Sequence, residues 1–329
     1  MQLKSPFVRL AAFASIFAFA FPAIATPVAD PTDAKPKQVV LISFDGAHDL
    51  AQWQRSRALA LRTGADFTYF LSCVFLLSRE TKDAYQAPGR SAGRSNVGFA
   101  MTRQEVADRL QQIRLAASEG HDIASHACGH FDGGKWTKAQ WKAEFAAFST
   151  IVRDAYTING IAPEPSDWKD IAAHASKGFR VPYLSSSTAL DEALRENGTV
   201  YNASGVSRGP VKPHLDKGLY QFALPMIPEG PSERRIIAMD YNLYVRHSGG
   251  MERPSEAALF ENRTYAAFNR AFREQYDGAR VPLQLGFHFT LMNDGAYWRA
   301  LERFAEEVCV KADVECISYA DYVARIEGD

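Results

Sequence analysis

Little in this sequence points toward a polyanion or a lipid bilayer. Its 37 Lys and Arg nearly balance its 38 Asp and Glu, for a formal net charge of −1. No basic excess marks a nucleic-acid binder, and such a balance neither demands nor excludes a polysaccharide partner. Beyond the N-terminus, no apolar run is long enough to cross a membrane, so stable insertion of the domain is not expected. There is no internal repeat and no low-complexity tract, which sets repeat architectures aside. Cysteine is scarce: Cys73, Cys128, Cys309 and Cys316 are the four. In an exported protein that even number permits two disulfides, and four cysteines allow three pairings that sequence alone does not separate.

What is present is ordinary globular material. The 329 residues are 47% hydrophobic and 23% charged, enough for a sizeable core. Lys4 and Arg9 precede the apolar stretch 10–21, and Ala23-Ile24-Ala25 reads as a small-x-small cleavage site. This is the pattern of a secretory signal peptide, 1–25, cleaved after Ala25. It places the domain outside the cytoplasm, secreted or periplasmic. Residues 26–37 (TPVADPTDAKPK) read as a Pro-rich linker, leaving 38–329 as the domain.

Within 38–329, short apolar runs alternate with helical spacing. The run 38–44 (QVVLISF) suits a fully buried parallel strand, and strand-like segments recur at 67–71, 121–125, 178–181, 219–224, 236–240 and 282–288. Helical stretches fall near 53–63, 103–118, 141–152, 188–196, 256–275 and 296–310. Repeated strand–helix units argue for a parallel sheet or barrel. The irregular segment 78–100, rich in Gly, Ser, Arg and Pro, reads either as a surface loop or as a rim over an active site.

Four short segments carry chemistry. The first is Gly120-His121-Asp122-Ile123-Ala124-Ser125-His126-Ala127-Cys128-Gly129-His130. If the chain turns helically there, His126 and His130 face the same way and can grip one metal ion. Neutral imidazoles suit zinc or a similar divalent ion. The second is Ser43-Phe44-Asp45-Gly46, which puts a carboxylate at the end of the first strand, the catalytic face of a barrel. The third is Phe179-Arg180-Val181-Pro182-Tyr183. There Arg180 can orient a carboxylate, and the Tyr183 backbone N–H can serve an oxyanion. The fourth is Leu285-Gly286-Phe287-His288-Phe289, where His288 is placed as a general acid.

Together these segments resemble the polysaccharide deacetylases, the NodB-homology or carbohydrate esterase family four. That family's motifs read T-F-D-D-G, H-[ST]-x-x-H, R-x-P-Y and a histidine on a late apolar strand, in this order. The resemblance spans roughly 38–325. It implies a distorted (β/α) barrel of the polysaccharide deacetylase (glycoside hydrolase/deacetylase) type. It also implies a metal-dependent hydrolase of non-peptide carbon–nitrogen bonds that removes acetyl groups from a poly- or oligosaccharide. By that likeness His126 and His130 are metal ligands for a divalent ion, zinc being expected, and His288 is the acid. Asp240, in Ile237-Ala238-Met239-Asp240-Tyr241, looks like the Asp that tunes it. The first motif departs from the family, because Gly46 stands where a second Asp would. Asp45 is then either the base, with Asp49, His48 or water completing the metal site, or itself the ligand. Two other readings stay open: a relative acting on a small non-sugar amide, possibly metal-free, and a non-catalytic glycan binder. Because sequential strands neighbour one another in such barrels, the expected disulfides are Cys73–Cys128 and Cys309–Cys316.

Overall fold

The computed structural model describes residues 1–3 and 35–328. Most of the expected signal peptide (4–25) and of the linker (26–34) lies outside the described residues.

The strands are β1 (Gln38–Gly46), β2 (Thr68–Leu71), β3 (Asp122–Ser125), β4 (Gly178–Phe179), β5 (Tyr201–Ser207), β6 (His214–Asp216), β7 (Leu219–Glu229), β8 (Arg234–Ile237), β9 (Leu283–His288) and β10 (Val314–Cys316). The helices are α1 (Leu50–Thr63), α2 (Arg103–Ser118), α3 (Lys138–Arg153), α4 (Ala155–Asn159), α5 (Trp168–His174), α6 (Thr188–Glu196), α7 (Asp240–Ser248), α8 (Ala257–Tyr276), α9 (Met292–Val308) and α10 (Tyr319–Gly328). Strands β9, β1, β2, β3, β4, β5 and β7 run parallel, side by side, in a curled sheet. The short segment after β8 draws its edges together: Ala238 N–H donates to Pro225 C=O of β7, and its own C=O accepts from Gly286 N–H of β9. The distorted barrel expected from the sequence is therefore the fold observed.

Alternation along β1 explains both sides of the sheet, since successive side chains point to opposite faces. Val39 and Leu41 point inward with Phe70, Ala124, Tyr201 and Phe222, and Tyr319 and Tyr322 of α10 plug the N-terminal end. Val40, Ile42 and Phe44 point outward under the helices. Higher on the inward face come Ser43 and Asp45, so the interior turns from apolar to polar toward the C-terminal ends of the strands. Both expected disulfides are present, Cys73–Cys128 and Cys309–Cys316, with Cα separations of 4.4 and 5.5 Å.

Two expectations need correcting. The stretch 236–240 is not one continuous parallel strand: β8 ends at Ile237 as an antiparallel hairpin partner of β7, Met239 bridges in parallel to Gly286 of β9, and Asp240 opens helix α7. Nor does 126–130 turn helically. Ala127 and His130 take left-handed φ values of 59° and 54°, and the segment is an irregular turn.

Phe44 is fully buried, stacked on Tyr69 and Trp298 with ring centroids 5.4 and 5.1 Å away. Phe44→Ala is expected to lower unfolding free energy by about 3–5 kcal/mol in urea titrations, because that cavity is walled by rigid rings. A loss under about 1 kcal/mol would show that this stack is not central to the outer core.

Candidate active site

The C-terminal rim of the barrel brings four of the predicted residues, Asp45, His126, His130 and His288, into one pocket of about 190 Å³, lined also by Gly46, His48, Phe75, Val97, Phe289 and Thr290, whereas Arg180, Tyr183 and Asp240 are not part of its lining. Register places the first two partners: Asp45 of β1 pairs directly with His288 of β9, on the same face. Asp45 is buried, and its Oδ1 accepts from Arg180 Nη1 at 2.8 Å. Burial works against its charge, but the Arg180 guanidinium, with His126 and His288 beyond it, outweighs burial and holds the carboxyl below its ordinary value.

Arg180 reaches this point from the end of β4, wholly inside the barrel. Its Nε donates to Ala203 C=O at 3.0 Å, Nη1 also donates to Ser43 Oγ at 2.8 Å, and Nη2 donates to Tyr319 Oη at 3.0 Å. Its own C=O lies 2.8 Å from His126 Nδ1. A carbonyl only accepts, so Nδ1 carries the proton and Nε2 of His126 is left as a bare acceptor. Burial pushes the His126 pKa down to about 3, which keeps the ring neutral. The His130 ring lies 5.1 Å from it, also shifted down, chiefly by burial and then by His288. The exposed Tyr183 ring meets His130 edge-on at 4.8 Å.

Asp240 lies behind His288, fully buried. Its Oδ1 accepts from His288 Nδ1 at 2.7 Å and its Oδ2 from the His288 backbone N–H at 2.8 Å. Burial disfavours the charged ring, yet the charge and hydrogen bond of Asp240 prevail and raise the His288 pKa above its ordinary value. Carboxylate and imidazole thus form a fixed pair with Nε2 of His288 as the free edge.

The sequence reading missed Phe75, Val97, Phe289 and Thr290 as pocket walls. Val97 belongs to the irregular segment 78–100, whose ends are tied by a Ser78–Ala100 bridge, so that segment does form part of the rim. Trp136 packs on the buried Trp141 with centroids 4.8 Å apart.

The donors suit a divalent metal only in part. His126 and His130 are neutral imidazoles, as ligands must be. A carboxylate partner is missing: Gly46 has no side chain, Asp49 caps α1 by accepting from Gln52 N–H, and Asp45 is engaged by Arg180. His48 stacks on Phe75 with centroids 5.0 Å apart. Among the described residues, no three His, Cys, Asp or Glu side chains form a group that could hold a metal ion. The expected Asp–His–His site, and with it the expected zinc, is not supported by this donor set, because Gly46 offers no carboxylate and Asp45 is held by Arg180.

No protein-family model matches this chain, and no curated protein sequence matches it. Solved structures do. A Mycobacterium smegmatis protein assigned as a polysaccharide deacetylase matches with TM-score 0.55 at 16% identity, over 92% of this chain and 94% of its own. One so assigned from Pseudomonas aeruginosa PAO1 matches at 0.53 and 13%, over 88% and 91%. The PuuE allantoinase matches at 0.51 and 14%, over 88% and 90%. At these identities the likeness establishes a shared fold, the one expected from the sequence.

Asp240→Asn is expected to lower the His288 pKa, read by NMR titration of the ring, because the neutral amide no longer favours imidazolium. The raised pKa also stabilises the fold below the unfolded-state value of about 6.5, and this contribution fades as pH rises through the folded value. An unchanged His288 titration in the variant would show that the pair does not set the charge of the ring.

Proposed function

We propose that this chain is a hydrolase of carbon–nitrogen bonds other than peptide bonds, removing acetyl groups from an acetylated polysaccharide or oligosaccharide. The observation that carries the reading is the juxtaposition of Asp45, held ionised, and its cross-strand partner His288, biased toward its protonated form, in one pocket with the histidine pair His126 and His130. Groups whose environments push their pKa values apart are the natural base and acid.

In this reading a water sits between Asp45 and Nε2 of His126, two acceptors that aim its lone pair at the amide carbon. Asp45 takes the proton as the water attacks. The tetrahedral oxyanion receives the Tyr183 backbone N–H. His288 protonates the departing amine through Nε2, its imidazolium steadied by Asp240. The C–N bond breaks to give acetate and the free amine. No step runs through a metal, since the donor set falls a ligand short. The proposed setting is secreted or periplasmic, after cleavage following Ala25. Two formed disulfides support it, and among the described residues no helix is long and apolar enough to cross a membrane.

A second reading is a hydrolase of a small non-sugar amide. The fold matches an allantoinase about as well as it matches the assigned deacetylases, and the first motif departs from the deacetylase pattern. Acetate release from a panel of N-acetylated glycans, run beside ureide and small-amide hydrolysis, decides between them.

On the preferred substrate, Asp45→Asn and His288→Ala are each expected to lower turnover by about 10²–10⁴-fold, the usual contribution of a general base or acid. Activity unaltered by both substitutions would refute the mechanism. Metal analysis after dialysis against a chelator is expected to find well under one zinc per chain with turnover retained. Stoichiometric zinc, lost in the His126→Ala/His130→Ala double variant together with activity, would instead establish a metalloenzyme.

A further inference from the structure

The turn that carries both pocket histidines is costly to hold. Two of its non-glycine residues, Ala127 and His130, lie in the left-handed region, which is strained for a residue with a Cβ. Such a conformation persists only where its surroundings over-determine it, so the polar groups of the turn need an accounting. His126 N–H donates to Leu71 C=O at 2.7 Å, and Ala127 C=O accepts from Cys73 N–H at 3.1 Å. Those two ties come from the neighbouring strand and its extension. Ala127 N–H is satisfied locally, donating to Ser125 Oγ at 3.2 Å, and the remaining ties come from further away. Cys128 N–H donates to Glu144 Oε1 at 2.9 Å, and Gly129 N–H donates to Tyr85 Oη at 3.1 Å. Tyr85 Oη in turn donates to the Glu144 carboxylate at 2.9 Å. On the outer side, Gly129 C=O accepts from Asn96 N–H at 2.8 Å, and His130 C=O accepts from Asn96 Nδ2 at 3.0 Å.

Tyr85 and Glu144 are both buried, and neither faces the pocket. Tyr85 comes from the rim segment 78–100, as Asn96 does, while Glu144 comes from the middle of α3. A carboxylate and a hydroxyl buried together, each aimed at a backbone N–H, form an anchor with no other evident task. The close fit supports this: a Cβ on residue 129 would lie 2.7 Å from the Tyr85 ring, so only glycine lets the turn settle on Tyr85.

We propose that Tyr85 and Glu144, with Asn96 closing from outside, are positioning residues that fix the His130 ring against the pocket. The rim segment is then the device that holds one wall of the site in register. The consequence for catalysis rests on the functional reading above, whereas the positioning itself does not.

The test uses the full chain carrying ¹³C-labelled histidine. In Tyr85→Phe the His130 ring signals are expected to shift or broaden while those of His288 hold still. The turnover number is expected to fall by up to about 10²-fold with little change in KM, as for a misplacement of about 1 Å. Glu144→Gln keeps an acceptor oxygen and is expected to retain the wild-type His130 signals. Should Tyr85→Phe fail to fold, Asn96→Ala, a change at the surface, is expected to move the same signals. His130 signals unmoved in both Tyr85→Phe and Asn96→Ala, or in Asn96→Ala alone where Tyr85→Phe is unfolded, would overturn the proposal. The spectra are read without substrate. A wild-type protein inactive on every amide would thus sink the functional reading and leave the positioning to be decided on the His130 signals.

Discussion

The interior of this barrel is organised around one buried ion pair. Arg180 and Asp45 meet at 2.8 Å with essentially no access to water. A buried pair seldom adds much net stability, because desolvation consumes the attraction, but removing one partner leaves the other uncompensated at a cost of about 3–5 kcal/mol. The pair therefore acts as a constraint more than as a source of stability. It is tolerable here because every guanidinium nitrogen is satisfied, by Ala203, Ser43, Asp45 and Tyr319, and because the Phe70 ring lies under the guanidinium at 4.3 Å. These bonds tie β1, β4, β5 and the start of α10 to a single side chain. The Arg180 carbonyl then fixes the tautomer of His126, so the frame of the barrel and the chemistry of the pocket share one residue.

That arrangement also sorts the charges. The pocket holds one carboxylate and several imidazoles, in a region where an uncompensated charge would be expensive. Asp45 stays ionised because Arg180 is beside it. His126 stays neutral because its Nδ1 proton goes to a carbonyl and its surroundings are dry. His288 alone is backed by a second carboxylate, and it alone is biased toward the cation. Histidines of one pocket are thus given opposite protonation preferences, His126 and His130 toward neutral and His288 toward the cation, by what lies behind each of them.

Much of this was legible in the sequence, and what escaped it did so for definable reasons. Helix α2 shows its apolar stripe at Val106, Leu110 and Ile113, and it runs over the residues that spacing predicts. Strand β1 announces itself by an unbroken apolar run, and Arg180 by its place before Val181-Pro182-Tyr183. Asp240 was legible as a residue but not as a helix start, because an apolar pair before an Asp reads equally as a strand end. The left-handed turn at Ala127 carries no sequence signal, since alanine there looks like a helix former. Tyr85 and Glu144 were invisible for another reason. Each looks ordinary in its own segment, and only the fold brings them together across 59 residues.

The Cys73–Cys128 bond spans 55 residues and ends inside the turn of the histidine pair. In a reducing compartment this bond does not persist. A reduced chain would then hold that turn by hydrogen bonds alone. Forming the bond is therefore a maturation step for the pocket as well as for the fold. The order in which the chain is made and oxidised becomes part of the timing of pocket assembly.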